Sequence, residues 1–288
     1  MSTVAYEIVD VFTDRPFAGN PLAVVFGAEG LAADQMQALA REFNLSETIF
    51  LLPSTSATYH ARIFTPETEL PFAGHPSVGA AVTAMRRGLF PAGDVVQECG
   101  AGLLPITVRS TGTATLGNGP LTLGEPLDHL SLLALTGLTV EDHAGPAPRE
   151  AGCGLEFHFL PVRRAALSRA SVDAAEAARA GVSQISVFAW SADTAEAHAR
   201  VFCPGVSVPE DPATGSAALG LGVYMTAAGM LPADGTTSYR VHQGIEMGRP
   251  SLLSCTVTAS AGLATAATVT GHVVPIAKGE IAVPPFVG

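Results

Sequence analysis

Glu47, His75 and Asp211 are the side chains whose types and settings best suit proton transfer. Glu47 stands between the polar Ser46 and the apolar run Thr48-Ile49-Phe50-Leu51-Leu52. A carboxylate at the mouth of a buried strand loses water, which raises its pKa toward the range where it can both take and return a proton. A solvent-facing glutamate at a strand edge would satisfy the same local pattern. His75 sits in Gly74-His75-Pro76 at a helix start, where its ring can hydrogen-bond into whatever the turn holds or simply cap the helix. Asp211 and Ser216 bracket Pro212-Ala213-Thr214-Gly215, and both are ordinary N-cap types, so each taken singly reads as a cap.

Repetition changes that reading. Arg62-Ile63-Phe64-Thr65-Pro66, running into Pro71-Phe72-Ala73-Gly74-His75-Pro76, is echoed by Arg200-Val201-Phe202-Cys203-Pro204, running into Pro209 and Asp211 to Ser216. The Arg, Phe and both Pro positions share an offset of 138 (200 − 62 = 209 − 71), close to half of the 288 residues. A small apolar run follows each turn: Ser77-Val78-Gly79-Ala80-Ala81 and Ser216-Ala217-Ala218-Leu219-Gly220. A duplicated strand, turn and helix start implies two similar lobes whose turns face one cleft. Two helix N-termini with unsatisfied amides would there grip the carboxylate of a small substrate.

The elements around these residues follow from periodicity. Strands are expected at Tyr6 to Phe12, Leu22 to Phe26 and Thr48 to Leu52. Met36, Leu39, Ala40 and Phe43 have helical spacing, with Asp34 as the expected cap. Val78, Ala81, Val82 and Met85 repeat that spacing before Gly88, as do Leu221, Tyr224, Met225 and Ala228 before Gly229. The second of these helices, about 216 to 228, carries no charge on any face. A helix apolar all round is wrapped by other elements, so each lobe is expected to be a curled sheet or barrel around a central helix, an α/β (α+β) architecture. A further short helix is expected from Ser171 to Gly181, and the lobe boundary near Gly117-Asn118-Gly119-Pro120, giving lobes 1–118 and 119–288 with the last residues able to return to the first.

Composition narrows the function. With 48% apolar residues the chain can build two cores, and a net charge of −11 with 15 Lys plus Arg leaves no basic stripe for nucleic acid or anionic lipid. The opening residues lack the pattern of a secretory signal and no apolar run would span a membrane, so a cytoplasmic protein is expected. Cys99, Cys153, Cys203 and Cys255 are widely spaced and read as reduced packing residues. The histidines, His198 and His242 among them, are dispersed without metal-ligand spacing, and neither turn has a phosphate-binding or nucleophile-elbow pattern. No metal and no cofactor are expected.

With these residues in view, the chain resembles the PhzF-like phenazine-biosynthesis isomerase family, related in fold to diaminopimelate epimerase. The resemblance rests on Asp10-Val11-Phe12-Thr13, Pro16-Phe17-Ala18-Gly19-Asn20-Pro21, Asn44-Leu45-Ser46-Glu47-Thr48, Phe72-Ala73-Gly74-His75-Pro76, Asp211 to Ser216, and Gln243-Gly244 with Gly248-Arg249-Pro250-Ser251. It implies a homodimer of two-lobed chains that needs no cofactor. The family's acid/base glutamate falls on Glu47, its Gly-His on Gly74 and His75, and its Asp and Ser on Asp211 and Ser216. Glu47, His75 and Asp211 are thus the candidate catalytic residues, and Gly74, Ser77, Gly215 and Ser216 the candidate substrate-binding ones. The expected activity is an isomerisation that moves a proton along an allylic or conjugated system of a small carboxylate substrate. The competing expectations are an amino-acid epimerase or racemase, which would need a thiol in each turn, and a binding protein that retains the fold.

Overall fold

The structure is a computed structural model of the chain and describes residues 2–117, 119–206 and 208–285. The chain packs into two compact units, Met1–Leu116 with Thr270–Gly288, and Gly117–Val269. The first contains β1 (Thr3–Val11), β2 (Asn20–Phe26), α1 (Ala33–Phe43), β3 (Thr48–Leu52), β4 (Tyr59–Phe64), β5 (Glu69–Leu70), α2 (Gly74–Arg86), β6 (Gly93–Cys99), β7 (Gly102–Arg109) and β8 (Thr113–Gly117). The second contains β9 (Leu121–Pro126), α3 (His129–Leu135), β10 (Arg149–Cys153), β11 (Leu155–Pro161), α4 (Ala174–Ala180), β12 (Ile185–Ser191), β13 (Glu196–Cys203), β14 (Val208–Asp211), α5 (Gly215–Ala227), β15 (Gly235–Gln243) and β16 (Ser251–Ser260). A long β17 (Leu263–Ala282) begins in the second unit and ends in the first.

In the first unit β1, β2, β3, β4, β6, β7, β8 and β17 pair in that order, and β17 returns to β1, closing a barrel. Two steps are parallel, β2 to β3 and β4 to β6, and each requires a crossover. The first crossover carries α1, whose Met36, Leu39 and Ala40 pack with Val25, Phe50 and Phe64. The second carries α2, buried from Gly74 to Ala84 and packed on β1, β2, β3 and β7. The second unit repeats the scheme: β11 to β12 and β13 to β15 are its parallel steps, bridged by α4 and by α5. Burial of α5 from Gly215 to Thr226 follows from its lack of charge, because no face of it would gain from water. Its close seat requires Gly222, where an added Cβ would lie 2.4 Å from the Tyr239 hydroxyl.

The two copies place their arginines alike. Arg62 grips Glu69 through Nε and Nη2, both at 2.7 Å, and lies over Phe64; Arg200 grips Glu210 at 2.8 and 2.7 Å and lies over Phe202. The offset of 138 holds for Arg62 and Arg200 but not for the helices, which start at Gly74 and Gly215, 141 apart (215 − 74). A 3-10 turn at Pro204–Val206 lengthens the second copy, so the counterpart of Pro71 is Pro212 rather than Pro209. Two further expectations shift. Asp34 lies in the first turn of α1, whose N-cap is Ala32, with its N–H donating to Gln35 Oε1 at 3.0 Å. α4 starts after Asp173, which accepts from Glu176 N, rather than at Ser171; Gly181 ends it in the left-handed region (φ 71°).

Candidate active site

One group of candidate residues lies in the first unit. The chain leaves α1 through Asn44 in a left-handed conformation (φ 49°), which turns it sharply enough to present Glu47 at the head of β3. The Glu47 side chain is 16% exposed, and its Oε2 lies 3.4 Å from Nδ1 of His75, itself 4% exposed. Asn20, fully buried at the start of β2, places Nδ2 3.4 Å from the same Nδ1 and accepts from Ser46 Oγ through Oδ1 at 3.2 Å. The loop leading to Asn20 is itself pinned: Asp10 Oδ2 accepts from Phe17 N at 2.7 Å. β2, the Ser46 turn and α2 thus converge on one carboxylate and one imidazole.

Burial pushes the Glu47 carboxyl up from its ordinary value to about 7, opposed in part by the hydrogen bond from Ser46. Glu47 Oε2 and His75 Nδ1 approach without a hydrogen bond joining them, and Asn20 Nδ2 stands at the same distance from that nitrogen. A carboxyl that titrates near neutrality is suited to take a proton from carbon and return it.

Gly74 and His75 are the first two residues of α2, and the N-cap, Ala73, has an extended backbone and no side-chain cap. Ser77 is different. Fully buried, its hydroxyl donates to Ala73 O at 2.9 Å and accepts from Gln97 Nε2 at 2.9 Å. Through these two bonds the hydroxyl braces the first turn of α2 against β6.

Another group of candidate residues is built within the second unit. Asp211 closes β14 and is 9% exposed; its Oδ2 accepts from Thr214 Oγ1 at 2.5 Å. Gln243, at the end of β15 and 1% exposed, donates through Nε2 to Asp211 O (2.7 Å) and Thr214 Oγ1 (2.9 Å) and accepts from Thr214 N at 3.2 Å. This clamp holds the turn that leads into Gly215 and Ser216, the first residues of α5, whose N-cap Thr214 also lacks a side-chain cap. Gly244 (φ 73°) lets the chain leave the clamp, since a Cβ there would stand 2.4 Å from Arg249 O and 2.7 Å from Pro212 O. Sequence patterns assigned no site role to Asn20, Thr214 or Gln243; an amide or hydroxyl in a buried strand or turn is recognisable only once its partner is placed.

All four cysteines are free and buried, and burial pushes the Cys255 thiol up to about 12. Neither turn carries a thiol, so the arrangement needed for two-thiol epimerisation is missing from both. Among the described residues no helix is long and apolar enough to cross a membrane.

A duplicated α+β protein with a buried carboxyl 3.4 Å from a buried imidazole is suited to acid/base isomerisation of a small molecule, and comparison with known proteins points to the same class. Residues 9–279 match the PhzC-PhzF family, phenazine biosynthesis-like protein. The chain belongs to that family. It is 37% identical to an "uncharacterized isomerase" of Mesorhizobium japonicum, over 98% of this chain and 99% of the other. It is 33% identical to the trans-2,3-dihydro-3-hydroxyanthranilate isomerase of Pseudomonas aeruginosa, over 96% and 98% of the two chains. The crystal structure of a Bacillus anthracis phenazine biosynthesis protein of the PhzF family superposes with a TM-score of 0.88 at 24% identity, covering 98% of this chain and all (100%) of that one.

Proposed function

We propose that the protein shifts a proton along an allylic or conjugated system of a small carboxylate-bearing substrate, without a cofactor in the reaction, and that Glu47 carries the proton. The observation behind this reading is the Glu47–His75 pair: a buried carboxyl raised to about 7, 3.4 Å from an imidazole that Asn20 holds in place. Glu47 as carboxylate removes a proton from the carbon acidified by conjugation, and the electron pair of that C–H bond enters the conjugated system. The Glu47 acid then protonates the far carbon, the double bond moves, and the enzyme returns to its starting protonation state. His75 positions Glu47 and the substrate's polar groups. Asp211, fixed by Thr214 and Gln243, is an acceptor able to orient a substrate's polar group. The uncapped first turns at Gly74 and at Gly215-Ser216 supply amide donors for the substrate's anionic oxygens as charge develops.

The substrate of the P. aeruginosa relative, trans-2,3-dihydro-3-hydroxyanthranilate, is the first compound to assay. Wild-type turnover, lost by at least about 100-fold in Glu47→Gln while binding is kept, supports the proposal. A Glu47→Gln variant that turns over at the wild-type rate contradicts it. The same reading takes the chain as a cytoplasmic homodimer, supported by the family resemblance, with sedimentation equilibrium as its check.

A further inference from the structure

Strand pairing assembles a second group of chemically capable side chains, remote in sequence. The parallel ladder between β13 and β15 has three residue pairs, Glu196 with Arg240, Ala197 with Val241, and His198 with His242. Alternation along each strand puts Glu196, His198 and His242 on one face, the less buried one, while Val241 and Gln243 point the other way into the unit. One donor atom from each of the three lies within 4.8 Å of the others. The two imidazoles stack at 4.6 Å and 13°. Nδ1 of His198 and Nε2 of His242 are both buried and make no hydrogen bond among the described residues. His242 Nε2 faces Glu196 Oε1 at 3.4 Å.

We infer that Glu196, His198 and His242 form a divalent transition-metal site of the zinc class. Two neutral imidazole nitrogens and one carboxylate are a donor set that zinc accepts, the fourth position being left to water. His242 Nε2 and Glu196 Oε1, 3.4 Å apart, already stand at the separation that a tetrahedral ion about 2.0–2.2 Å from each donor imposes, and His198, with a donor within 4.8 Å of theirs, joins them by turning its ring out of the stack. Two buried nitrogens without a hydrogen bond, one of them facing a carboxylate, otherwise cost stability, and a shared cation removes that cost. The cations at hand do not block the site. Arg240 Nη2 holds Glu196 Oε1 at 2.7 Å but is 53% exposed, so it can share the carboxylate or swing out, and Arg164 is exposed. The metal's role is structural. It ties β13 to β15 at the last pair of their three-pair ladder, one residue before Gln243, the clamp on Asp211.

The site stands independently of the isomerase reading, and its test does not read activity. Tag-free protein stripped by a chelator and titrated calorimetrically with Zn²⁺ takes up one ion per chain with a Kd below about 50 µM, and its melting temperature rises with added Zn²⁺. His198→Ala and His242→Ala each weaken uptake at least about 100-fold. His143→Ala, from the other stacked pair His129–His143 that belongs to no three-donor group among the described residues, leaves uptake unchanged. X-ray absorption on the wild type loaded with Co²⁺ shows imidazole scattering, a readout that survives if a variant fails to fold. No saturable uptake below about 50 µM Zn²⁺, uptake unchanged in both histidine variants, or a Co²⁺ spectrum without imidazole overturns the inference.

Discussion

At the scale of single residues, the account turns on Glu47 being neutral and charged in comparable amounts near pH 7. Activity that depends on the carboxylate should fall about tenfold per pH unit below about 7, so the acidic limb of kcat/KM should show an apparent pKa near 7. A flat profile down to pH 5 would show that Glu47 is not the base. The same carboxyl ties stability to pH. Its value rises from 4.5 in the unfolded chain to about 7 in the folded one, so the native state holds the extra proton between those limits. Stability from this group is therefore full below 4.5, declines as pH rises through 7, and is lowest above it, by on the order of 3 kcal/mol. Glu47→Gln should unfold at a higher temperature than wild type at pH 8 and show no such gain at pH 4, which thermal melts at the two pH values check. The setting of Glu47 was half legible in the sequence: Ser46 and the apolar run after it announce a strand mouth, but a solvent-facing glutamate fits the same pattern. Asn20 was not, since nothing local shows that its amide meets Ser46 and His75.

At the scale of elements, the site depends on how helix starts and strand ends are fixed. Gly244→Ala adds a Cβ 2.4 Å from Arg249 O, in a left-handed backbone that disfavours it. Backbone cannot yield as a side-chain tip can, so the variant should lose at least about 2 kcal/mol and loosen the Gln243 clamp on Asp211. The check is a denaturant melt together with hydrogen exchange at the start of α5; wild-type stability would show that the turn relaxes freely. Gly222→Ala should also destabilise, since the roughly 1 kcal/mol gained in helix propensity is outweighed by the collision with the buried Tyr239 hydroxyl, which donates to Ala218 O at 2.7 Å. Periodicity revealed α1, α2 and α5 to within a residue or two, because each buries a defined set of apolar positions. It misjudged the cap of α1, where Gln35 does from inside the helix what Asp34 was expected to do from its start. It also carried the offset of 138 past the 3-10 turn at Pro204–Val206, where the second copy gains three residues.

At the scale of the whole molecule, β17 is the strand that no sequence pattern marked, although the return of the last residues to the first lobe was expected. Its 20 residues pair with β1 over Val273 to Ala282 and complete the barrel around α2, although they follow the second unit in the chain. Ending the chain at Val269 should therefore expose the edges of β1 and β8 and abolish cooperative unfolding of the first unit, as hydrogen exchange in β1 would show. Protection of β1 equal to that in the full chain would mean the barrel does not need this strand. The duplication itself was visible in the paired Arg and Phe positions because each arginine is held by a bidentate glutamate and an aromatic ring, a demand that restricts residue type strongly. The cluster of His198 and His242 was invisible, since 44 residues (242 − 198) separate partners that a parallel ladder sets opposite. The central claim is that one carboxylate carries one proton between two carbons of the same substrate. Its most direct test is a single turnover, in ordinary water, of substrate deuterated at the carbon that loses its proton. Part of the label should arrive at the carbon that gains one, with the double bond shifted, because return from Glu47 competes with exchange into water. Solvent hydrogen appearing at the original carbon with inverted configuration, and no shift of the double bond, would contradict the account.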